Sequence, residues 1–336
     1  MMKQRKIWID WMKALGMLAI VWGHCFPKGG VDAFLYAFNV PVFFWVSGYL
    51  VHREDSMRVC WQKCWHNLVI PYIILALIKC AGPILKHLSD GQFVYSLLGI
   101  AGGFHSINDI SGCNNLWFVY TLVLIKLLYQ WGQADQKRLF GITILAIIFA
   151  LVYNHYELEW SWAVSNTLLA WPFFLLGNTC SQVFSRQFDN FVQCFEKVHW
   201  AGKILVIASL IALVYCIGLQ NDCAYLFQNR YGLNFLLFVA GALAGIFMML
   251  SIGLWLNQID LKAVRIISIG SIVILVFHRE LLRPLLKLIR KQQLDLSLEN
   301  LLIFLAAVAV TLAFVPIILV LKRFFPIILG TRAKNL

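Results

Sequence analysis

Apolar residues occur along the chain in long runs, and short polar segments separate one run from the next. Each run has about 17 to 24 residues, which at a helical rise of about 1.5 Å per residue crosses the roughly 30 Å hydrocarbon core of a bilayer. Helices satisfy their own backbone hydrogen bonds in lipid, whereas open strands do not. The pattern therefore predicts an all-α fold, a polytopic transmembrane helix bundle with about ten spans: 8–26, 33–52, 66–86, 115–131, 139–154, 162–181, 202–219, 233–256, 264–285 and 299–321.

The distribution of Lys and Arg predicts how these spans are oriented. Ten spans place both termini on one side, and basic residues concentrate at both termini and in alternate loops. Cytoplasmic loops carry the excess of Lys and Arg, so both termini are predicted to be cytoplasmic. One segment departs from this rule, because the basic residues between Arg279 and Lys291 fall on the predicted outer face. Either they have a function there, or one span is miscounted.

Composition supports the membrane class and excludes several others. Of the 336 residues, 61% are hydrophobic and only 13% are charged, which is more apolar surface than a soluble domain can bury. The net charge of +12 matches the ordinary cytoplasmic excess of a multi-pass protein, so no nucleic-acid binding is predicted. The nine cysteines lack the spacing of metal ligands, and no metal site is predicted.

The longest polar connections, 87–114 and 182–201, are too short to form a core of their own. Residues 1–336 are therefore predicted to form a single membrane domain with no separate soluble domain. The first connection is rich in turn residues and suits a re-entrant segment or a lid at the membrane surface. The second has phenylalanines at helical spacing and is expected to lie on the inner surface.

Three polar side chains in the first span mark it as a candidate functional element. Lys13 and His24 are eleven residues apart, which places them on one helix face about 16 Å apart along the axis. Ionisable groups within a span usually face the protein interior and mark a functional path. A simpler interpretation pairs Asp10 with Lys13 at the inner interface and puts His24 among the outer head groups. The alignment of both residues with two glycines, Gly16 and Gly23, favours function.

Five segments of the chain, in order, resemble the acyltransferase-3 family of polytopic membrane acyltransferases. The resemblance begins with a basic residue, ten intervening residues and a His in the first helix, and Lys13 stands where Arg is common in that family. Lysine keeps the positive charge but lacks the planar guanidinium group of arginine. A lysine at this position therefore suits a point-charge contact with phosphate. The segments are IDWMKALGMLAIVWGH at 9–24, FNVPVFFWVSGYL at 38–50, HNLVIPY at 66–72, NNLWFVYTLV at 114–123 and VILVFHREL at 273–281.

The resemblance implies an enzyme of the cell inner (cytoplasmic) membrane. Such an enzyme transfers an acyl group from cytoplasmic acyl-CoA to a hydroxyl of a cell-surface polysaccharide or a lipid-linked sugar. Acetyl-CoA is the expected donor substrate, although succinyl and longer acyl groups stay open, and no permanently bound cofactor is implied. Membrane lipids are expected to surround the chain. Whether a partner protein completes the transfer stays open, and so does the oligomeric state.

The resemblance also implies roles for particular residues. His24 is predicted to be the general base that takes the proton of the acceptor hydroxyl, and His278 to be a second catalytic residue. An acyl-histidine intermediate at His24 stays open. The predicted contacts with the donor are Lys13, Ser47, Gly48 and Tyr72, and the predicted contacts with the acceptor are Asn39, Asn115, Trp117 and Arg279. The basic cluster from Arg279 to Lys291 could attract an anionic acceptor or anionic lipid head groups.

Two other functions compete with this prediction. The first is an acyl-group translocator that passes its cargo to a partner, and the second is a proton-coupled membrane transporter or flippase with Lys13 and His24 in its relay. The sequence has no internal repeat and no paired membrane carboxylates, which counts against a transporter.

Overall fold

The computed structural model describes residues 5–104, 106–107, 110–111, 114–156 and 162–330. Within these ranges the chain is helical apart from turns and one antiparallel pair of two-residue strands, β1 (Ser106–Ile107) and β2 (Ile110–Ser111). The α-helices are α1 (Ile7–Gly23), α2 (Val31–Leu50), α3 (Met57–Cys64), α4 (Ile70–Lys86), α5 (Phe93–Gly102), α6 (Trp117–Gly132), α7 (Gln136–Tyr156), α8 (Ala163–Gln182), α9 (Ser185–Lys197), α10 (Trp200–Asn221), α11 (Phe235–Trp255), α12 (Lys262–Ile269), α13 (Ser271–Lys291) and α14 (Leu296–Phe324). A π-helical turn, Trp65–Val69, joins α3 to α4.

The helical fold predicted from the apolar runs is confirmed. Each of the ten predicted segments coincides with a helix, although the segment 264–285 is divided at Gly270 into α12 and α13. The helices α3, α5 and α9 add to those ten, and α5 and α9 occupy the two long polar connections. Those connections are partly apolar, which is why they form helices of their own instead of irregular loops.

Six helical segments of the described chain are long and apolar enough to cross a membrane: Val31–Leu50, Met57–Lys86, Gln136–Tyr153, Trp200–Gln228, Phe235–Trp255 and Leu296–Phe324. The helices α1 and α6 are shorter, with 17 and 16 residues, while polar residues interrupt α8 and charged residues crowd α13. The chain therefore has the helices of a multi-pass membrane protein. The ten spans and the cytoplasmic termini stay predictions.

The helices form two compact units. The first contains Met1–Leu50, Phe173–Ala224 and Tyr231–Ile318, and the second contains Val51–Pro172, Tyr225–Arg230 and Leu319–Leu336. In the first unit α1 lies at the centre and packs against α2, α11, α12 and α13. The amphipathic helix α9 belongs to this unit, and its Phe188 ring packs against Trp8, Trp45 and Tyr49.

The second unit contains α3 to α7 and the first part of α8. The Tyr72 hydroxyl of α4 donates a hydrogen bond of 2.6 Å to the Ile100 carbonyl of α5. Asn166 of α8 donates to the Leu226 carbonyl and to the Asn229 side chain, each at 2.6 Å, which fixes the turn 225–230. These bonds satisfy buried polar groups that would otherwise destabilise an apolar interior.

Two glycines allow α2 and the second half of α8 to touch through their backbones. A Cβ atom placed on Gly48 would lie 1.8 Å from the Phe174 carbonyl oxygen, and one on Gly177 would lie 2.0 Å from the Trp45 carbonyl oxygen. Small residues permit this close approach of helices where no hydrophobic force drives association within lipid.

Replacing Gly48 by alanine should therefore destabilise the protein. The added methyl group would meet backbone atoms, which cannot move aside as a side chain can, so we expect a loss of about 1–3 kcal/mol in the free energy of unfolding. The measurement is the thermal denaturation midpoint in detergent. The matched control is Gly141→Ala in α7, where an added Cβ meets no atom within 4 Å, and its midpoint should stay the same or rise. Equal midpoints for both variants would contradict the close contact between α2 and α8.

Candidate active site

Two histidines from opposite ends of the chain meet in the first unit. The His24 Nδ1 atom lies 2.6 Å from the His278 Nε2 atom, a hydrogen-bond distance. The ring centroids are 4.8 Å apart and the ring planes differ by 8°. His278 is fully buried, while His24 is partly exposed. The sequence placed both histidines among the catalytic candidates, and the structure brings them into direct contact.

The contacts of His278 determine which nitrogen of each ring carries a proton. The other ring nitrogen of His278, Nδ1, lies 2.8 Å from the Ile274 carbonyl, which can only accept a hydrogen bond. Neutral His278 therefore has its proton on Nδ1 and a lone pair on Nε2. For the short contact to be a hydrogen bond, His24 must donate from Nδ1, which leaves the lone pair of His24 on Nε2. An imidazole held in this form is ready to accept a proton.

The turn after α1 holds His24 in place. Helix α1 ends at Gly23, and His24 is its C-cap residue. Arg290 of α13 donates a hydrogen bond of 2.8 Å to the Cys25 carbonyl. The Lys28 backbone exchanges two hydrogen bonds, of 3.1 and 3.0 Å, with the Asn300 side chain of α14. The turn is thus fixed to both α13 and α14.

A cavity of about 380 Å³ opens beside His24. Its walls come from the end of α1 and from one face of α13, so basic and apolar side chains alternate around it. The lining residues are His24, Phe26, Arg279, Leu282, Arg283, Leu286, Lys287 and Arg290. A small polar molecule that entered this cavity would contact His24 directly.

Asn39 and Arg279, both predicted to contact the acceptor, lie in this region of the first unit. The buried Asn39 side chain sits beside Gly23, where an added Cβ would be 3.5 Å from Asn39 Nδ2. Arg279 is half-buried, follows His278 on α13 and lines the cavity. The structure therefore groups four of the predicted site residues around the end of α1.

Lys13 has a partner that differs from the one the simpler interpretation gave it. Its ammonium donates a hydrogen bond of 2.6 Å to the Ser268 carbonyl in the last turn of α12. Asp10 pairs with Arg5 at 2.5 Å, and the expected ion pair between Asp10 and Lys13 is wrong. The physical reason is that the last carbonyls of a helix lack partners within the helix and attract a cation.

The glycine stripe of α1 packs against another helix. An added Cβ on Gly16 would lie 3.0 Å from the Phe43 ring of α2, and Gly23 faces Asn39 and Tyr36 of the same helix. Ser47 of α2 is partly exposed, although its neighbours in the helix are buried. The close approach of the Phe174 backbone is enough to explain why residue 48 is a glycine, so this explanation needs no contact with the donor substrate.

Three predicted site residues belong to the second unit. Tyr72 is buried and hydrogen-bonded to α5, Trp117 is buried at the start of α6, and Asn115 is partly buried in the turn that precedes it. Their predicted contacts with donor and acceptor stay predictions.

The basic cluster from Arg279 to Lys291 was visible in the sequence, but its place in a wall of the cavity beside His24 was not. Residues 279, 282, 283, 286, 287 and 290 of α13 recur at intervals of three and four, the spacing of one helix face. This spacing was visible in the sequence, but nothing in the sequence showed that this face turns toward the end of α1.

Comparison with known proteins adds to this geometry. Residues 6–320 match the model of a family described as an acyltransferase domain. The chain is also similar to the inner membrane protein YcfT of Escherichia coli (strain K12), with 22% identity over 276 residues that cover 69% of this chain and 74% of YcfT. No solved structure matches the chain.

The protonation assigned to His24 can be measured directly. In protein labelled with ¹⁵N-histidine at neutral pH, His24 should show a protonated Nδ1 and an unprotonated Nε2. Replacing His278 by leucine removes the acceptor of this hydrogen bond, so His24 should shift toward the form with its proton on Nε2. A wild-type His24 that already carries its proton on Nε2 would contradict the assignment.

Proposed function

The chain belongs to the acyltransferase-3 family, and from this premise we propose that it is a membrane-bound enzyme that transfers an acetyl group from acetyl-CoA to a sugar hydroxyl. The acceptor in this proposal is a cell-surface polysaccharide or a lipid-linked sugar. The observation that carries the proposal is the hydrogen bond between His24 and His278 at the wall of a cavity. A base oriented by a second residue is the arrangement that activates hydroxyl nucleophiles.

The proposed topology has ten spans with both termini in the cytoplasm. The shorter or more polar helices α1, α6, α8 and α13 complete the ten, with α12 continuing into α13. Charged and polar residues are tolerated in such helices when they face the protein interior. The chain would then be a multi-pass protein of the inner membrane, a location supported by its similarity to YcfT.

Lys13 is the proposed contact of α1 with the donor. An ammonium group has three N–H donors, and the Ser268 carbonyl accepts one of them, which leaves two for the phosphate or pantetheine part of acetyl-CoA. Ser47 is proposed as a second contact. The distance of about 16 Å along α1 between Lys13 and His24 suits a donor whose thioester lies near His24 while its phosphates lie near Lys13.

In the proposed reaction His24 Nε2 accepts the proton of the acceptor hydroxyl. The hydroxyl oxygen forms a bond to the thioester carbonyl carbon, and the resulting tetrahedral intermediate breaks the carbon–sulfur bond. The thiolate of CoA leaves and receives the proton back from His24 Nε2, so the enzyme ends in its initial state. His278 orients His24 throughout and stabilises the positive charge that the His24 ring carries between the two proton transfers.

Replacing His24 by alanine should abolish most of the transfer. Loss of a general base costs about 100-fold or more in rate, and we expect that loss in acetyl-CoA-dependent acetylation of a panel of sugar acceptors. The matched control is His155→Ala, which removes an exposed histidine of α7 and should leave the rate within about twofold. His278→Leu should give a smaller loss than His24→Ala, because the base remains but is no longer oriented. A His24→Ala variant that releases CoA at the wild-type rate would overturn the proposal.

Replacing Lys13 by alanine should weaken donor binding. The removed charge contacts the donor before and during the reaction, so its loss raises the KM for acetyl-CoA more than it lowers kcat. High acetyl-CoA should then restore most of the rate. A variant with unchanged KM and reduced kcat would assign Lys13 to the support of α12 and α13 instead.

A further inference from the structure

One face of α13 presents four cations to the cavity beside His24. Arg279, Arg283, Lys287 and Arg290 all line it, and their spacing of four, four and three residues keeps them within one face over about 16 Å of helix. Leu282 and Leu286 fill the apolar positions between them. The cavity is therefore a positively charged groove that is also lined by apolar side chains and by His24.

The carboxylates of the first unit do not balance this charge. Glu280 pairs with Arg283 at 3.3 Å, and Glu299 accepts a bond from Lys28 at 3.2 Å and lies 3.9 Å from Arg290. Within the described ranges no ion pair involves Arg279 or Lys287. Arg279 is nevertheless half-buried, where an uncompensated charge is costly.

The stability of α13 does not explain these positions. Like charges four residues apart repel each other on a helix surface, and Arg279, Arg283 and Lys287 follow that spacing. The helix dipole favours cations only in the last turn, where Arg290 and Lys291 lie. Helix stability therefore does not account for Arg279 and Lys287 in the middle of α13.

We infer that this groove binds the phosphate or diphosphate group of the acceptor and so presents its sugar hydroxyl to His24. The inference rests on the proposed function and specifies its substrate class as a glycosyl phosphate, either free or attached to a lipid. A diphosphate carries enough charge to contact several of the four cations, and arginine matches its oxygens with paired hydrogen bonds. A single carboxylate would contact only some of the cations along a groove of this length.

The test is the binding of inorganic pyrophosphate to the purified full chain in neutral detergent, measured by calorimetry. The wild type should bind one equivalent saturably. Arg279→Gln and Arg283→Gln should each raise Kd about tenfold, the loss of one charge-assisted contact. The matched control is Lys291→Gln, which removes the same charge from the same helix outside the cavity and should leave Kd within about twofold. Equal Kd values in all four proteins, or no saturable binding, would overturn the inference.

Two further measurements separate the acceptor from other phosphates. Pyrophosphate should leave the KM for acetyl-CoA unchanged in the wild type, and a competitive rise would place the donor phosphates in the groove and overturn the inference.

Reconstitution into phosphatidylcholine vesicles with and without phosphatidylglycerol should give the same Kd for pyrophosphate. A Kd that rises with phosphatidylglycerol would assign the groove to lipid head groups. In either case acetyl-CoA turnover that still depends on His24 would show that the proposed function stands without this inference.

Discussion

The candidate site depends on one hydrogen bond between two imidazoles. His24 and His278 are 254 positions apart in the chain, yet their ring nitrogens are 2.6 Å apart. The bond requires a fixed end of α1 and a fixed face of α13, and the surrounding contacts provide both. Arg290 holds the turn after α1, and the Ile274 carbonyl fixes the His278 ring. Because the bond sets the proton positions of both rings, it determines which nitrogen of His24 can act as a base.

Neither of the two helices that carry this bond is among the six segments that are long and apolar enough to cross a membrane. Helix α1 has 17 residues, and α13 carries the cations of the groove. Two apolar helices of the same unit, α2 and α11, pack against α1, and the close contact of Gly48 with Phe174 joins α2 to α8. The cost of polar groups within a membrane thus explains why apolar neighbours cover α1, whereas the second half of α13 is mostly exposed.

The helices could be predicted because the length of an apolar run sets the length of the helix it forms. The predicted ends agree with the structure within four residues, except that α13 continues to Lys291, six residues beyond its predicted end. The sequence also marked His24 and His278 as catalytic candidates, through the spacing in the first span and the resemblance to a family, and the structure brings them into contact. The contact between them, the bond of Lys13 to Ser268 and the cation-lined groove could not be predicted. Each depends on how helices that are distant in the sequence pack against one another. Periodicity shows which residues share one face of a helix, but it does not show which other helix that face contacts. The ion pair between Asp10 and Lys13 was wrong for the same reason, because the sequence does not show that the last turn of α12 lies beside Lys13.

The role of His24 as the base is tested most directly by the pH dependence of kcat/KM for the proposed acetyl-CoA-dependent transfer, measured on the wild type and on His24→Ala. This ratio reports the protonation of essential groups in the free enzyme. If the unprotonated His24 is the base, kcat/KM should be constant at high pH and fall about tenfold per unit as the pH drops below the pKa of the histidine pair. An acid limb that persists unchanged in His24→Ala would contradict the assignment of His24 as the base.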